Sequence, residues 1–378
     1  MATILFVGHE ASRSGAPFTQ LHLMRWVKKN TSHKMLLVLL KGGPLVVDFE
    51  ELAEVHIVHS PKFSLPTRIW SKLNRIAGKE HNNILNRIAN CAPDVIFASS
   101  LVAINYGIKL KHKLGVKLIC NLHELEFAFF YMPNRGFPEA LQQTDVFMMG
   151  SHAVKNFYLN NYSVDKNKAS VIYDFIADEP SESPKIFDIR TLYNIPSTAK
   201  IVGAMGSLDF RKGYDVFLNV ARKIIKNSLE TYFVWVGGNK NSAEYKVLER
   251  EVKLQGLTGR VILAGEQTDI HSYYEAFDIF LLTSREDPFP LVCLEAAMAR
   301  TPIICFAHSG GMPEFVRDDA GYVVEYLNAE QMAEKTLSLL ENESLRKQMG
   351  AVGRERALAN HTIGKIGPSI LTLIESAL

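Results

Sequence analysis

An α/β protein made of two Rossmann-like halves is what this sequence predicts, on three observations. Short β-branched and apolar runs alternate with longer helix-like segments from start to end, the pattern of parallel strands joined by right-handed helical crossovers. A segment rich in Pro, Ser and charge, IADEPSESPKIFD (176–188), interrupts that pattern near the middle; it cannot bury much apolar surface and reads as a linker. The pattern then restarts with a strand, a glycine-containing turn and a helix, a second Rossmann-like unit rather than a short repeat.

In the first half, strands are expected at Thr3–Val7, Met35–Leu40, Val55–His59, Asp94–Ala98, Lys117–Leu122, Asp145–Gly150 and Ser170–Tyr173, with helices between most of them. The second half is expected to hold strands at Ile201–Met205, Tyr232–Val236, Val261–Ala264, Ile279–Leu282, Pro302–Phe306 and Gly321–Val323. One domain is placed at 1–187 and the other at 188–361. A chain of 378 residues, 47% of them apolar, is long enough for two such cores.

Composition narrows the function classes. Cys91, Cys120, Cys293 and Cys305 lie far apart without the spacing of a zinc site or the density of a disulfide scaffold, so reduced, buried thiols are expected. The opening MATILFVGHE reads as a strand rather than a signal peptide, and no apolar stretch is long enough to cross a bilayer. A cytoplasmic protein, peripheral to a membrane at most, is therefore expected. Residues 1–187 carry 21 Lys/Arg against 16 Asp/Glu and residues 188–378 carry 21 against 24, so the halves are +5 and −3. No nucleic-acid partner is expected, although the basic first half suits an anionic membrane or substrate. Lys62–Arg87 interleaves six cations with apolar residues. On a helix this stretch either rests on anionic lipid or packs an apolar face into the core with its charges solvated.

Two segments carry the chemistry. Gly206-Ser-Leu-Asp-Phe-Arg-Lys-Gly213 follows the strand IVGAM, so its glycines allow a tight strand-to-helix turn, and Arg211 and Lys212 add cations suited to a phosphate. Ser284-Arg-Glu-Asp-Pro-Phe-Pro-Leu-Val-Cys-Leu-Glu-Ala-Ala-Met298 follows the strand IFLLT and turns at two prolines into an apolar helix. Glu286 and Asp287 fall at the carboxyl end of that strand, where open α/β sheets bind ligands, and the amides of Phe289, Leu291 and Val292 sit near a helix start after Pro290. Carboxylates so placed, with Glu295 inside the helix, accept hydroxyl protons from a sugar or ribose. Gly310-Gly311-Met-Pro-Glu314 follows the strand PIICFA, where paired glycines allow close backbone approach to a ligand or simply form a turn.

GSLDFRKG, REDPFPLVCLEA and SGGMPE together resemble the ordered C-terminal motifs of glycosyltransferase family 4, retaining enzymes of the GT-B fold, and the resemblance spans nearly the whole chain. Gly8-His-Glu-Ala-Ser-Arg-Ser-Gly15-Ala16-Pro17 resembles the loop after the first strand that faces donor and acceptor, and NLHELE (121–126) resembles the family's mid-domain histidine motif. The resemblance implies two Rossmann-like domains facing across a cleft, with a last helix at about 362–378 crossing back to the first. It also implies retaining transfer of a sugar from a nucleotide-sugar, UDP first and GDP second, to a glycan or lipid-linked acceptor in surface polysaccharide or glycoconjugate synthesis.

Carried onto this sequence, the resemblance gives Glu295 the ribose hydroxyls and the earlier acid of its Glu-x7-Glu motif the donor sugar. That position is Asp287, preceded by Glu286, and both remain candidates. Lys212 matches the family's pyrophosphate lysine, whereas Ser207 stands where many members carry arginine after Gly206, leaving Arg211 to supply the second cation. The resemblance makes His123 a contact to the donor sugar, matches Glu314 to the family's loop glutamate and places Gly265 and Gln267 at the nucleobase edge. No Asp-x-Asp occurs, so the reading is metal-independent and without a cofactor: the leaving diphosphate is stabilised by fixed cations and backbone donors. Two alternatives share these features, a sugar-nucleotide epimerase of similar fold and an inactive nucleotide-sugar-binding partner. A nicotinamide dehydrogenase fits less well, because no G-x-G-x-x-G follows any expected strand.

Overall fold

Both halves form a wholly parallel sheet in the computed structural model, which describes residues 1–58, 83–132, 136–178, 187–226 and 230–378. The chain divides into two units, Met1–Asp174 with Ile363–Leu378, and Phe175–Thr362.

In the first unit, β1 (Thr3–Gly8), β2 (Lys34–Leu39), β3 (Glu54–Ile57), β4 (Val95–Ala98), β5 (Lys117–Leu122), β6 (Val146–Met149) and β7 (Ala169–Val171) lie in the order β3-β2-β1-β4-β5-β6-β7. Their apolar runs follow from burial on both faces: Ile4, Leu5, Phe6 and Val7 of β1 are wholly buried. The crossovers are α1 (Gly15–Asn30), α2 (Val46–Glu50), a helix over 83–90 (α3), α4 (Leu101–Leu114), α5 (Glu126–Tyr131), α6 (Phe137–Gln143) and α7 (His152–Asn161). The last helix, α16 (Ile363–Ser376), returns to this unit and packs on α1, where a Cβ on Gly367 would lie 2.4 Å from the Trp26 indole.

The second unit contains α8 (Ile189–Tyr193), β8 (Lys200–Met205), α9 (Tyr214–Ile225), β9 (Thr231–Val236), α10 (Ala243–Leu254), β10 (Val261–Gly265), α11 (His271–Ala276) and β11 (Ile279–Leu282). It continues through α12 (Leu291–Met298), β12 (Ile303–Phe306), α13 (Met312–Val316), β13 (Gly321–Val324), α14 (Ala329–Glu341) and α15 (Glu343–Asn360). The strand order β10-β9-β8-β11-β12-β13 reverses between β8 and β11, as it does between β1 and β4 in the first unit. At such switch points the loops leave the sheet in opposite directions and open a crevice beyond the carboxyl ends of the strands.

Three details differ from the sequence reading. The units part at Asp174 and Phe175, before the Pro- and Ser-rich segment, because Phe175 and Ile176 are buried in the second unit and the Ile176 N–H donates to the His361 carbonyl at 3.0 Å. The helix after Gly206 starts only at Tyr214: a 3-10 turn, Phe210–Lys212, intervenes, and Gly213 caps the helix at φ +70°. Cys91 is exposed at the end of α3, while Cys120, Cys293 and Cys305 are buried free thiols. Most of Lys62–Arg87, His59 and most of the linker lie outside the described residues.

Candidate functional site

At the switch point of the second unit, three loops are tied into one layer. The Arg285 N–H donates to the Arg211 carbonyl at 2.7 Å, and the Thr283 hydroxyl donates to the Lys212 carbonyl at 3.2 Å, so the loop after β11 lies on the loop after β8. Gly213 permits this contact: a Cβ there would fall 2.0 Å from the Thr283 carbonyl oxygen. Arg285 clamps the same seam, its guanidinium 3.7 Å from the Phe210 ring centroid and paired through two nitrogens with the Asp215 carboxylate at 2.8 and 2.7 Å. The loop after β12 joins through the Asp287 N–H to the Ser309 carbonyl at 2.6 Å and the Gly311 N–H to the Pro288 carbonyl at 2.9 Å. Gly310, at φ +132°, is the price of that closure, since a Cβ would meet the Asp287 carbonyl oxygen at 1.8 Å. The contact with the Asp287 carbonyl is by itself enough to require glycine at position 310.

Asp287 sits at the centre of this layer. Its buried carboxylate accepts from Lys212 Nζ at 2.5 Å and from the Ser284 hydroxyl at 3.3 Å, with Arg211 Nη1 3.6 Å away. Burial alone would raise its pKa; Lys212 first and Arg211 next outweigh burial and hold it below the ordinary carboxylate value. Arg211 also donates to the Glu286 carbonyl at 2.9 Å, so this guanidinium faces the 284–287 loop, and Glu286 is the less buried of the two acids. Ser207 is exposed and donates to the Asp209 carboxylate at 2.5 Å, and Asp209 in turn caps the 3-10 turn at the Lys212 N–H. Ser207 therefore shapes the turn, and the Gly206 carbonyl accepts from Trp235 Nε1 at 3.1 Å.

Glu295 lies one helix turn inside α12, whose first residues Leu291 and Val292 follow Pro290. Burial pushes its pKa up to about 7, against the Tyr274 hydroxyl, which donates to it at 2.7 Å. Phe289 points into the core, stacked on His361 at 5.2 Å. Glu314 lies in the first turn of α13. Gly265, at φ +73°, is crossed by the Lys240 side chain, and the Gln267 amide donates to the Ala264 carbonyl at 2.8 Å.

In the first unit, His123 follows β5 and Gly15 and Ala16 open α1 after the Gly8–Ser14 loop. The His123 ring is almost buried, with Nδ1 3.0 Å from the Asp174 carboxylate, while the Glu124 carboxylate accepts from the His123 and Leu101 backbone N–H groups. His9 Nδ1 lies 3.2 Å from the Ser100 hydroxyl on the same sheet edge, and burial holds its pKa below the ordinary histidine value. Among the described residues, no group of three or more His, Cys, Asp or Glu side chains is arranged to hold a metal ion.

Residues 186–356 match the family described as Glycosyl transferases group 1 and residues 30–179 match Glycosyltransferase Family 4. The chain belongs to this glycosyltransferase family, and its two parallel-sheet units have the GT-B architecture. It is similar to the poly(ribitol-phosphate) alpha-N-acetylglucosaminyltransferase of Staphylococcus aureus (strain COL), 28% identical over 195 residues, which cover 49% of this chain and only 38% of that protein. It is 25% identical over 290 residues to the N-acetyl-alpha-D-glucosaminyl L-malate synthase of Bacillus anthracis, covering 75% of this chain and 72% of the relative. Among solved structures, Anabaena HepE in complex with UDP and glucose superposes with a TM-score of 0.83 at 18% identity, covering 100% of both chains, a likeness of fold.

The sequence reading did not single out Tyr274, Ser284 or Asp174. Ser284 lies within a motif that drew notice for its acids, but Tyr274 and Asp174 reach Glu295 and His123 from 21 and 51 residues away, and no local spacing marks them.

Proposed function

We propose that the protein transfers a sugar, with retention of configuration and without a metal, from a UDP-sugar, or failing that a GDP-sugar, to a glycan or lipid-linked acceptor. The observation that carries this reading is the Lys212, Arg211 and Asp287 cluster at the β8–β11 switch point, with Glu295 on the helix that follows. Two cations against one buried carboxylate leave a net positive charge where a leaving diphosphate develops its own negative charge, and the amides at the start of α12 add fixed donors. Glu295 accepts the ribose hydroxyls, Asp287 holds Lys212 and meets the donor sugar, and His123 contacts that sugar near the bond that breaks. The leaving phosphate oxygen assists deprotonation of the acceptor on the same face, so no protein base is assigned. Membership of the family supports retention, and the UDP in the HepE complexes supports the nucleotide.

Peripheral attachment of the cytoplasmic protein to anionic lipid through Lys62–Arg87 belongs to the same proposal; sedimentation with anionic liposomes at low salt tests it, and failure to sediment removes it.

The deciding experiment is calorimetric titration with UDP, GDP, ADP and their sugar conjugates, with and without EDTA, on wild type and Glu295→Ala. EDTA-insensitive micromolar binding, weakened in Glu295→Ala, is expected. Folded protein that binds none of them overturns the reading.

A further inference from the structure

We propose that Asp174 is a positioning residue for His123: its carboxylate accepts the Nδ1 proton and so leaves Nε2 as the nitrogen that meets the donor sugar. This rests on the transferase reading of His123 given above. Both Asp174 oxygens lie 3.0 Å from Nδ1, and Asp174 is itself buried, so the ring is held from a fixed point. That point is built by the backbone. The Asp174 N–H donates to the Gly150 carbonyl at 3.4 Å, and a Cβ on Gly150 would lie 2.8 Å from the carboxylate, so only glycine at the end of β6 leaves room for it. Among the described residues no protein group bonds to Nε2, and that atom is not among the buried unpartnered ones.

Three groups face the ring: Asp174 after β7, Glu124 on the turn that carries His123, and His9 after β1. Burial favours the neutral imidazole, but Asp174 and then Glu124 outweigh it and raise the His123 pKa above its ordinary value. In the protonated ring both nitrogens donate, Nδ1 to Asp174 and Nε2 outward. In that form His123 meets a sugar oxygen as a hydrogen-bond donor rather than as a base. Stabilisation of this form is lost as pH rises through the folded pKa, which places the limb on the basic side of the activity profile.

The test is Asp174→Asn, read by pH-dependent kinetics and by NMR titration of the His123 ring. Expected are a kcat lower on the order of 100-fold, within what a positioned proton donor contributes, an unchanged UDP dissociation constant, and a basic limb moved to lower pH together with the ring's pKa. Combining it with His123→Ala should cost nothing beyond His123→Ala alone, which a merely structural role for Asp174 does not predict. An unchanged limb and ring titration in Asp174→Asn overturn the proposal. If that variant does not fold, the wild-type titration decides: a His123 pKa at or below about 6.5 overturns it. Wild-type protein that transfers no sugar defeats the transferase reading, whereas the ring titration still decides the pairing.

Discussion

Tyr274 donates its hydroxyl proton to Glu295 at 2.7 Å, and this buried tyrosine on α11 is what joins the glutamate of α12 to the core beneath the switch point. The same burial raises the Glu295 pKa from 4.5 to about 7. A carboxyl whose folded pKa exceeds its unfolded one stabilises the fold fully below the unfolded value, and that contribution is lost as pH rises through the folded one. Stability should therefore decline between about pH 4.5 and 7 by an amount on the order of 1–3 kcal/mol. Glu295→Gln keeps an acceptor for Tyr274 and removes the titration. Thermal melts at pH 4 and pH 8 should show the variant equal to wild type at the first and more stable at the second; parallel curves at both would count against a raised Glu295.

Nucleotide binding should move a proton at the same residue. If ribose hydroxyls donate to the charged form of Glu295, as proposed, they draw its pKa down, so UDP binding near pH 6.5 should release a proton. Titrations in buffers of different ionisation enthalpy read that release directly. A proton count of zero in wild type, or one that survives Glu295→Gln, would place the ribose elsewhere.

Asp287 opposes the anion that Lys212 and Arg211 are proposed to bind, because its carboxylate lies 2.5 Å from one and 3.6 Å from the other. Asp287→Asn leaves both cations without their buried counter-charge, and breaking a buried pair in this way costs about 3 kcal/mol of stability. It also adds one unit of positive charge beside the pyrophosphate, so UDP should bind several-fold tighter while sugar transfer collapses. Chemical denaturation and calorimetry on one preparation check both halves. Weaker UDP binding by a folded variant would falsify the division of labour proposed here.

The strands were readable because parallel strands are buried on both faces, which makes Ile4–Val7 and Ile279–Leu282 continuous apolar runs with turn residues at their ends. The site was readable only as separate motifs. Lys212 and Asp287 lie 75 residues apart, and what brings them together is the adjacency of β8 and β11 in the sheet, which depends on strand order and leaves no local pattern. Asp174 carried no motif at all, since its pairing with His123 appears only once β7 lies beside β6 and Gly150 opens space for it. At Gly310 the backbone freedom was legible, but the close approach of the Asp287 carbonyl that requires it was not.

Gly310→Ala tests that last assignment. At φ +132° an L-residue is strained, and its Cβ would meet the Asp287 carbonyl oxygen at 1.8 Å, so the loops after β11 and β12 must separate or the backbone must shift. A loss of about 2–4 kcal/mol is expected by urea denaturation. Gly311→Ala is the comparison, because Gly311 has a helical φ of −84° that any residue adopts. A Gly310→Ala variant as stable as Gly311→Ala would count against both the strained backbone and the loop contact. If the loop contact sets the requirement, stability falls first, and bound UDP restores part of it because ligand binding to the folded form is linked to folding.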